Sequence, residues 1–441
     1  MRPTCGLKGY YVIFRTFART KGPHIMKRIL IKNIKGLSGV YNESPKWVAG
    51  ADMNRLPVIE NAFLAIEGEH IAGYGPMSEW SGITDWNNLE VIDAEGRYVL
   101  PAWCDSHTHI VYAGNREQEF ADRIRGMSYE EIAARGGGIL HSAARLANTS
   151  EDELFEGAMR RLREVVRMGT GAIEIKSGYG LSLEAEMKML RVIARLREST
   201  PVHIKSTLLA AHAVPAAFKD NKEGYVDLVI REIIPAVAAE NLAEYIDVFC
   251  ETNYFSVSDT ERILEAAAKF GMVPKIHVNQ FTVLGGVEAA VQHGARSVDH
   301  LEFLEERDLN ALEGSNTIAT ALPSCSFFLG IPYTPARTII DRGLPLALAT
   351  DYNPGSTPSG NIPFVISLAC IKMKMTPEEA IHAATINGAY AMHLQNELGT
   401  ITEGKKANLI MTHPMSSLAY IPYAFGSEHV DKVWVEGELQ K

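Results

Sequence analysis

The stretch Tyr98-Val99-Leu100-Pro101-Ala102-Trp103-Cys104-Asp105-Ser106-His107-Thr108-His109 decides the fold. It begins as an apolar strand and ends in two histidines two residues apart. On an extended strand, residues i and i+2 point the same way, about 6.6 Å apart, so both imidazoles can reach one ion. Cys104 has the opposite parity to His107 and points away from it. In a chain with 14 histidines a lone His-x-His carries little weight. Its weight comes from what repeats downstream.

Seven further apolar runs follow at helix-length intervals: Gly171–Lys176, Val202–Ala211, Ile246–Glu251, Val273–His277, Arg296–His300, Thr317–Leu322 and Pro345–Asp351. Alternating strand and helix gives a parallel sheet covered by helices. Ser150 with Glu153 is a capping-box pair opening a helix that stops near Gly169. Ser258 with Glu261 reads as another, and Gly271 closes that helix. A doubly wound sheet shares this alternation. The ends of the runs favour a (β/α)8 barrel, because five of the eight finish in His or Asp: His107/His109, His212, His277, His300 and Asp351. In a barrel all strand C-termini open on one face, where catalytic groups collect. Taken singly, His277 reads as a hydrogen-bonded core histidine and Asp351 as a turn or helix-cap carboxylate. Taken together, His107, His109, His277 and Asp351 form a ligand set of three imidazoles and one carboxylate for one divalent metal, zinc or iron.

Outside this middle, the texture is short strands and turns. Arg28–Asn33, a hairpin around Glu67-Gly68-Glu69-His70, Asn408–Met411 and Val430–Glu436 predict a small β-sandwich built from both chain ends. The expected division is residues 26–95 and 396–441 for the composite β domain and 96–395 for the barrel. No Asp or Glu precedes Glu43, and Arg2, Lys8, Arg15, Arg19 and Lys21 precede Met26. The apolar stretch Tyr10–Phe14 is too short for a signal-peptide core, so residues 1–25 read as an upstream extension with no role in the fold.

The chain of 441 residues is 46% hydrophobic and 22% charged, with 43 Lys and Arg against 53 Asp and Glu, a formal charge of −10. A net acidic chain with no basic tract argues against nucleic acid or an anionic membrane as partner. One well-placed Arg still suffices for a small substrate with a carboxylate. Cys5, Cys104, Cys250, Cys325 and Cys370 are scattered, odd in number and form no CxxC pair, which points to free thiols and a cytoplasmic protein. There is no membrane-length apolar run.

The string Pro101–His109 is similar to the opening barrel strand of the amidohydrolase superfamily. More narrowly, the chain resembles the imidazolonepropionase family from about residue 28 to 440. The resemblance rests on Gly136-Gly137-Gly138-Ile139, Lys176-Ser177-Gly178-Tyr179-Gly180, Ala211-His212-Ala213-Val214-Pro215, Lys275-Ile276-His277, Asp299-His300-Leu301 and Ala349-Thr350-Asp351-Tyr352-Asn353-Pro354-Gly355. It implies ring-opening hydrolysis of 4-imidazolone-5-propanoate to N-formimidoyl-L-glutamate, in histidine degradation, by a homodimer. It assigns metal ligation to His107, His109, His277 and Asp351, and substrate contacts to Arg116, Tyr179, His212, Gln280, Asn353, Gly355 and Ser356. Without it, Arg116 is a surface residue paired with Glu117 or Glu119, Tyr179 a loop aromatic, and Asn353-Pro354-Gly355-Ser356 a turn. Ala102, Cys104 and Asn408 depart from the usual residues at their positions.

Gln280, three residues after His277, separates two chemistries. Superfamily deaminases carry a Glu there that moves protons to a nucleobase ring; an amide hydrogen-bonds but carries no proton. The alternative of an aminohydrolase on a small heterocycle is thereby disfavoured, and a catalytically dead scaffold is disfavoured by the intact ligand set. The expected catalytic residues are His300 and Asp351 as proton carriers, with Gln280. Gly136-Gly137-Gly138 lacks the pattern of a phosphate loop and reads as a turn or hinge.

Overall fold

The computed structural model describes residues 27–83, 85–127, 131 and 137–441. Residues 1–25, expected as an extension, and Gly136 of the triple glycine lie outside them.

Eight parallel strands form one sheet in sequence order: β1 Trp103–Asp105, β2 Thr170–Lys176, β3 His203–Ala211, β4 Tyr245–Cys250, β5 Val273–Val278, β6 Ser297–His300, β7 Ile318–Ala321 and β8 Leu346–Leu348. Helices run between successive strands. Parallel strands covered by helices are buried on both faces, and β2 is buried at every position. The ring closes between the last strand and the first through a parallel bridge of Thr108 with Tyr352. At this seam the Asp351 N–H donates to the His107 carbonyl (3.0 Å) and the His109 N–H to the Tyr352 carbonyl (2.8 Å). Just below, the Asp105 carboxylate accepts from the Thr350 N–H (3.0 Å) and hydroxyl (2.7 Å). The chain is an α/β protein with a (β/α)8 barrel.

The run Tyr98–His107, expected as one barrel strand, is divided. Tyr98–Pro101 pairs antiparallel with Leu409–Thr412 in the terminal sheet, and only Trp103–Asp105 pairs with β2. Ala102 is the hinge: its N–H donates to the Asn408 carbonyl, whereas that of Trp103 donates to the Gly169 carbonyl. The terminal strands make a single hydrogen-bonded sheet of eight, with Arg28–Ser38 central and pairing with Val58–Glu67, Leu89–Asp93 and Tyr98–Pro101. Asn408 ties the two units together, its Nδ2 donating to the Gly171 carbonyl (3.1 Å) and its Oδ1 accepting from the Glu436 N–H (2.8 Å). An Asp there has no N–H to donate to that carbonyl.

The helix Glu151–Arg167 starts on the Ser150–Glu153 capping box. The second expected box is displaced. Helix Val257–Ala268 is capped by Ser256 with Asp259, not Ser258 with Glu261. Ser256 keeps an extended backbone, and Asp259 also pairs with Lys222 at 2.6 Å. A shorter carboxylate with a second partner thus wins over the longer one two residues on. Gly271 ends the helix at φ +75°, with Met272 and Gly271 N–H donating to the Ala267 and Ala268 carbonyls. Cys104, Cys250, Cys325 and Cys370 are unpaired. Among the described residues no helix is long and apolar enough to cross a membrane.

Candidate active site

The strand-end residues meet at the open face of the barrel. His107 Nε2 stands 3.1 Å from His277 Nε2 and 3.4 Å from His109 Nε2. Asp351 Oδ1 is 3.6 Å from Nε2 of both His107 and His109. Donors bound about 2.1 Å from one ion at a tetrahedral angle stand about 3.4 Å apart, so the four residues fit a single zinc-class cation.

The other ring nitrogens are occupied. His107 Nδ1 is 2.7 Å from Asp299 Oδ2, and His277 Nδ1 is 2.7 Å from Asp247 Oδ2. His109 Nδ1 faces the Ser177 carbonyl at 3.4 Å. A proton held at Nδ1 leaves Nε2 as the lone-pair donor, which is how such partners orient ligating imidazoles. Burial, then nearby cationic groups, hold all three histidines well below the ordinary imidazole pKa. Burial also pushes the Asp351 carboxyl up to about 6.

Beneath lies a closed charge network. Lys176 Nζ is 2.8 Å from Glu174, 2.9 Å from Asp247 and 3.6 Å from Asp299, and Lys275 Nζ is 3.1 Å from Glu174, every side chain at 0% exposure. Burial opposes the Lys176 charge, but the three carboxylates outweigh it and raise its pKa. Lys176 therefore keeps Asp247 and Asp299 compensated while they orient His277 and His107.

A cavity of about 510 Å³ opens over this face, lined by His109, Arg116, Tyr179, His212, His277, Gln280, His300, Asp351, Asn353, Gly355 and Ser356. His107 is fully buried beneath it. All the residues singled out in the sequence therefore gather at one site. His212 Nδ1 is 3.0 Å from the Gly178 carbonyl, and burial lowers its pKa to about 4, so it is neutral near pH 7 with Nε2 as acceptor. Arg116 is both a cavity residue and a paired one: its Nε donates to Glu119 at 2.8 Å. Gly355 makes room for that guanidinium, since a Cβ there would come within 2.2 Å of Nη1. Asn353 uses all four of its hydrogen-bonding positions within the loop, to the Asp351 carbonyl, Ser356 Oγ, and the Gly355 and Ser356 N–H groups. Its side chain shapes the loop.

Some of the backbone strain falls here. Asn279, His300, Leu301 and Asp351 all have positive φ. Non-glycine residues in that region persist only where surrounding contacts hold them, which is common at functional sites.

Sequence reasoning missed the orienting carboxylates. Asp299 stands beside His300, and Asp247 is a lone acid inside the apolar β4, which was the available signal. It also missed two loop clamps. Glu186 accepts from the Gly178, Gly180 and Leu181 N–H groups, and Glu251 from the Thr252, Phe281 and Thr282 N–H groups.

A model of the amidohydrolase family matches residues 98–439. An imidazolonepropionase of Flavobacterium johnsoniae is 59% identical over 410 residues, spanning 93% of this chain and 99% of the relative. Another, of Christiangramia forsetii, is 59% identical over 411 residues, with 93% and 99% covered. The chain belongs to the amidohydrolase family and, within it, to the imidazolonepropionase family. It is a metal-dependent hydrolase with a small-molecule substrate. A solved adenosine deaminase from Xanthomonas campestris with bound zinc superimposes with a TM-score of 0.67 at 15% identity, covering 93% of this chain and 92% of that one. That likeness concerns the fold.

Proposed function

We propose that this chain hydrolyses 4-imidazolone-5-propanoate to N-formimidoyl-L-glutamate, a step of histidine degradation. The observation that carries the reading is the convergence of His107, His109, His277 and Asp351 beneath a cavity that also holds Arg116 and Gln280. The identity of the relatives over nearly the whole chain supports the same substrate. In the reaction the ring carbonyl carbon gains the water oxygen, its bond to the ring nitrogen breaks, and that nitrogen takes a proton. When bound at the four ligands, a zinc or iron ion supplies Lewis acidity that brings water toward its reactive form near neutral pH.

The residues divide the remaining work. Arg116 grips the propionate carboxylate, with Glu119 holding the guanidinium in place. Tyr179, neutral in its buried position, and neutral His212 hydrogen-bond the ring, joined by Ser356 and the Gly355 backbone. Gln280 orients the substrate without exchanging protons. Asp351 accepts a proton from the attacking water and His300 delivers one to the departing nitrogen. Burial works against a charged His300, but Glu302 outweighs it and raises its pKa, favouring the form that donates. The protein acts as a cytoplasmic homodimer, without nucleic-acid or membrane partners.

The test follows loss of imidazolone absorbance with metal-replete protein beside a chelator-treated control. Turnover that survives complete metal removal, or ammonia released from heterocyclic amines in its place, overturns the reading. Near-normal turnover of His300→Asn with full metal content removes His300 from the proton path.

A further inference from the structure

Beside the ligand set lies a second cluster of donors. His300, Glu302 and Cys325 are buried, and their ligand atoms lie within 4.8 Å of one another. The strand that delivers His300 turns sharply at its end, with φ +85° at His300 and +63° at Leu301. This turn brings His300 Nδ1 to 3.3 Å from Glu302 Oε1. The separation differs from the 2.7 Å pairs that orient His107 and His277. It is a weak hydrogen bond, but it matches the spacing of two donors sharing one zinc-sized ion.

The cluster has an unmet acceptor. Glu302 is buried, and its Oε2 has no hydrogen-bond partner. The Cys325 thiol is wholly buried beside Asp351 and Glu302. One carboxylate and one thiolate balance a dication, and an imidazole completes a set of nitrogen, oxygen and sulfur donors suited to borderline-soft metals. Ser326 Oγ, 3.2 Å from Glu302 Oε1, holds the carboxylate as an outer partner. Gln280 Nε2, 3.4 Å from Cys325 Sγ, borders the thiol.

We propose that His300, Glu302 and Cys325 form a second, regulatory site for a borderline-soft divalent cation such as zinc. Binding releases the protons of the Cys325 thiol and of His300 Nδ1 to solvent. Occupancy therefore takes His300 out of proton transfer, and excess zinc inhibits turnover. The inhibition rests on the role given to His300 above; the site itself does not.

The test uses the full chain loaded with one equivalent of zinc and titrated with cobalt(II). Neither the three histidines nor Asp351 supplies sulfur, so a thiolate-to-cobalt charge-transfer band reports the second site alone. The expected result is a second equivalent bearing that band, lost in Cys325→Ser while the first equivalent of zinc stays bound. Glu302→Gln, a near-isosteric change, is expected to weaken the second equivalent at least tenfold with the band still forming at higher cobalt. Absence of a sulfur band at any cobalt excess, or a band unchanged in Cys325→Ser, overturns the proposal; the cluster then holds only water. A band with undiminished turnover keeps the site and removes His300 from the reaction.

Discussion

In the barrel, the layer below the ligands is filled by Glu174, Lys176, Asp247, Lys275 and Asp299, all fully buried, whereas the terminal sheet closes over Ile29, Ile31, Leu64, Leu409 and Trp434. The two interiors meet different needs. An apolar interior gains stability from burial and tolerates small losses locally. A charged interior gains little net stability, because desolvation offsets the Coulomb attraction, and it fails badly when one partner is removed. What it provides is orientation, since Asp247 and Asp299 hold the imidazoles of His277 and His107. Two buried lysines make the contrast sharp. Lys176 is surrounded by carboxylates that raise its pKa, while Lys405, at the junction of the units, is held among the described residues by Ser44 Oγ and the Gln395 and Leu398 carbonyls. Burial without a carboxylate lowers its pKa to about 8.

The comparison can be broken at four points. His277→Ala is expected to have the largest effect, a loss of turnover of roughly a thousandfold or more. Metal content should fall with it while the melting of the terminal sheet is unchanged, which elemental analysis and circular dichroism check together. Lys176→Met leaves three buried carboxylates short of a counter-charge and should destabilise by about 3–5 kcal/mol in urea unfolding. A neutral outcome there would remove the distinction between the two interiors. Leu64→Ala opens a cavity in the terminal sheet and should cost about 2–4 kcal/mol, with turnover per folded molecule retained. The smallest effect concerns Lys405. Below about pH 8 both folded and unfolded chains hold its proton, and the full penalty of burying the charge is present. Between about 8 and the ordinary value of 10.5 only the unfolded chain still holds it, so stability rises with pH. The gain should reach about 2 kcal/mol and vanish in Lys405→Met, read as the difference between the two melting curves over that interval.

The barrel was legible because its strands are buried on both faces and read as apolar runs with polar ends. The site was legible for the same reason, since His107, His109, His277, His300 and Asp351 sit where one face collects them. The orienting groups were not. Asp247 and Asp299 act by pointing into a layer whose registry depends on strand stagger, such as His277 lying level with Asp299. Periodicity does not encode that. The division at Ala102 was hidden because both halves of Tyr98–Asp105 are apolar strand, and only their partners differ. The helix start at Ser256 was hidden because Lys222, distant in sequence, favours Asp259 over Glu261. Arg116 was hard to place because it does two things at once: it pairs with Glu119 and lines the cavity wall.

The seam between β8 and β1 gives the barrel an unusual weak point. The backbone groups that join its two ends belong to His107, His109, Asp351 and Tyr352, three of them also in the proposed ligand set. If that set holds the ion, the ring cannot breathe open there without scattering its ligands, nor release the cation without loosening its own latch. Amide exchange at His109 and Asp351 should therefore follow metal occupancy more closely than exchange anywhere else in the barrel, making the clasp a built-in gauge of loading.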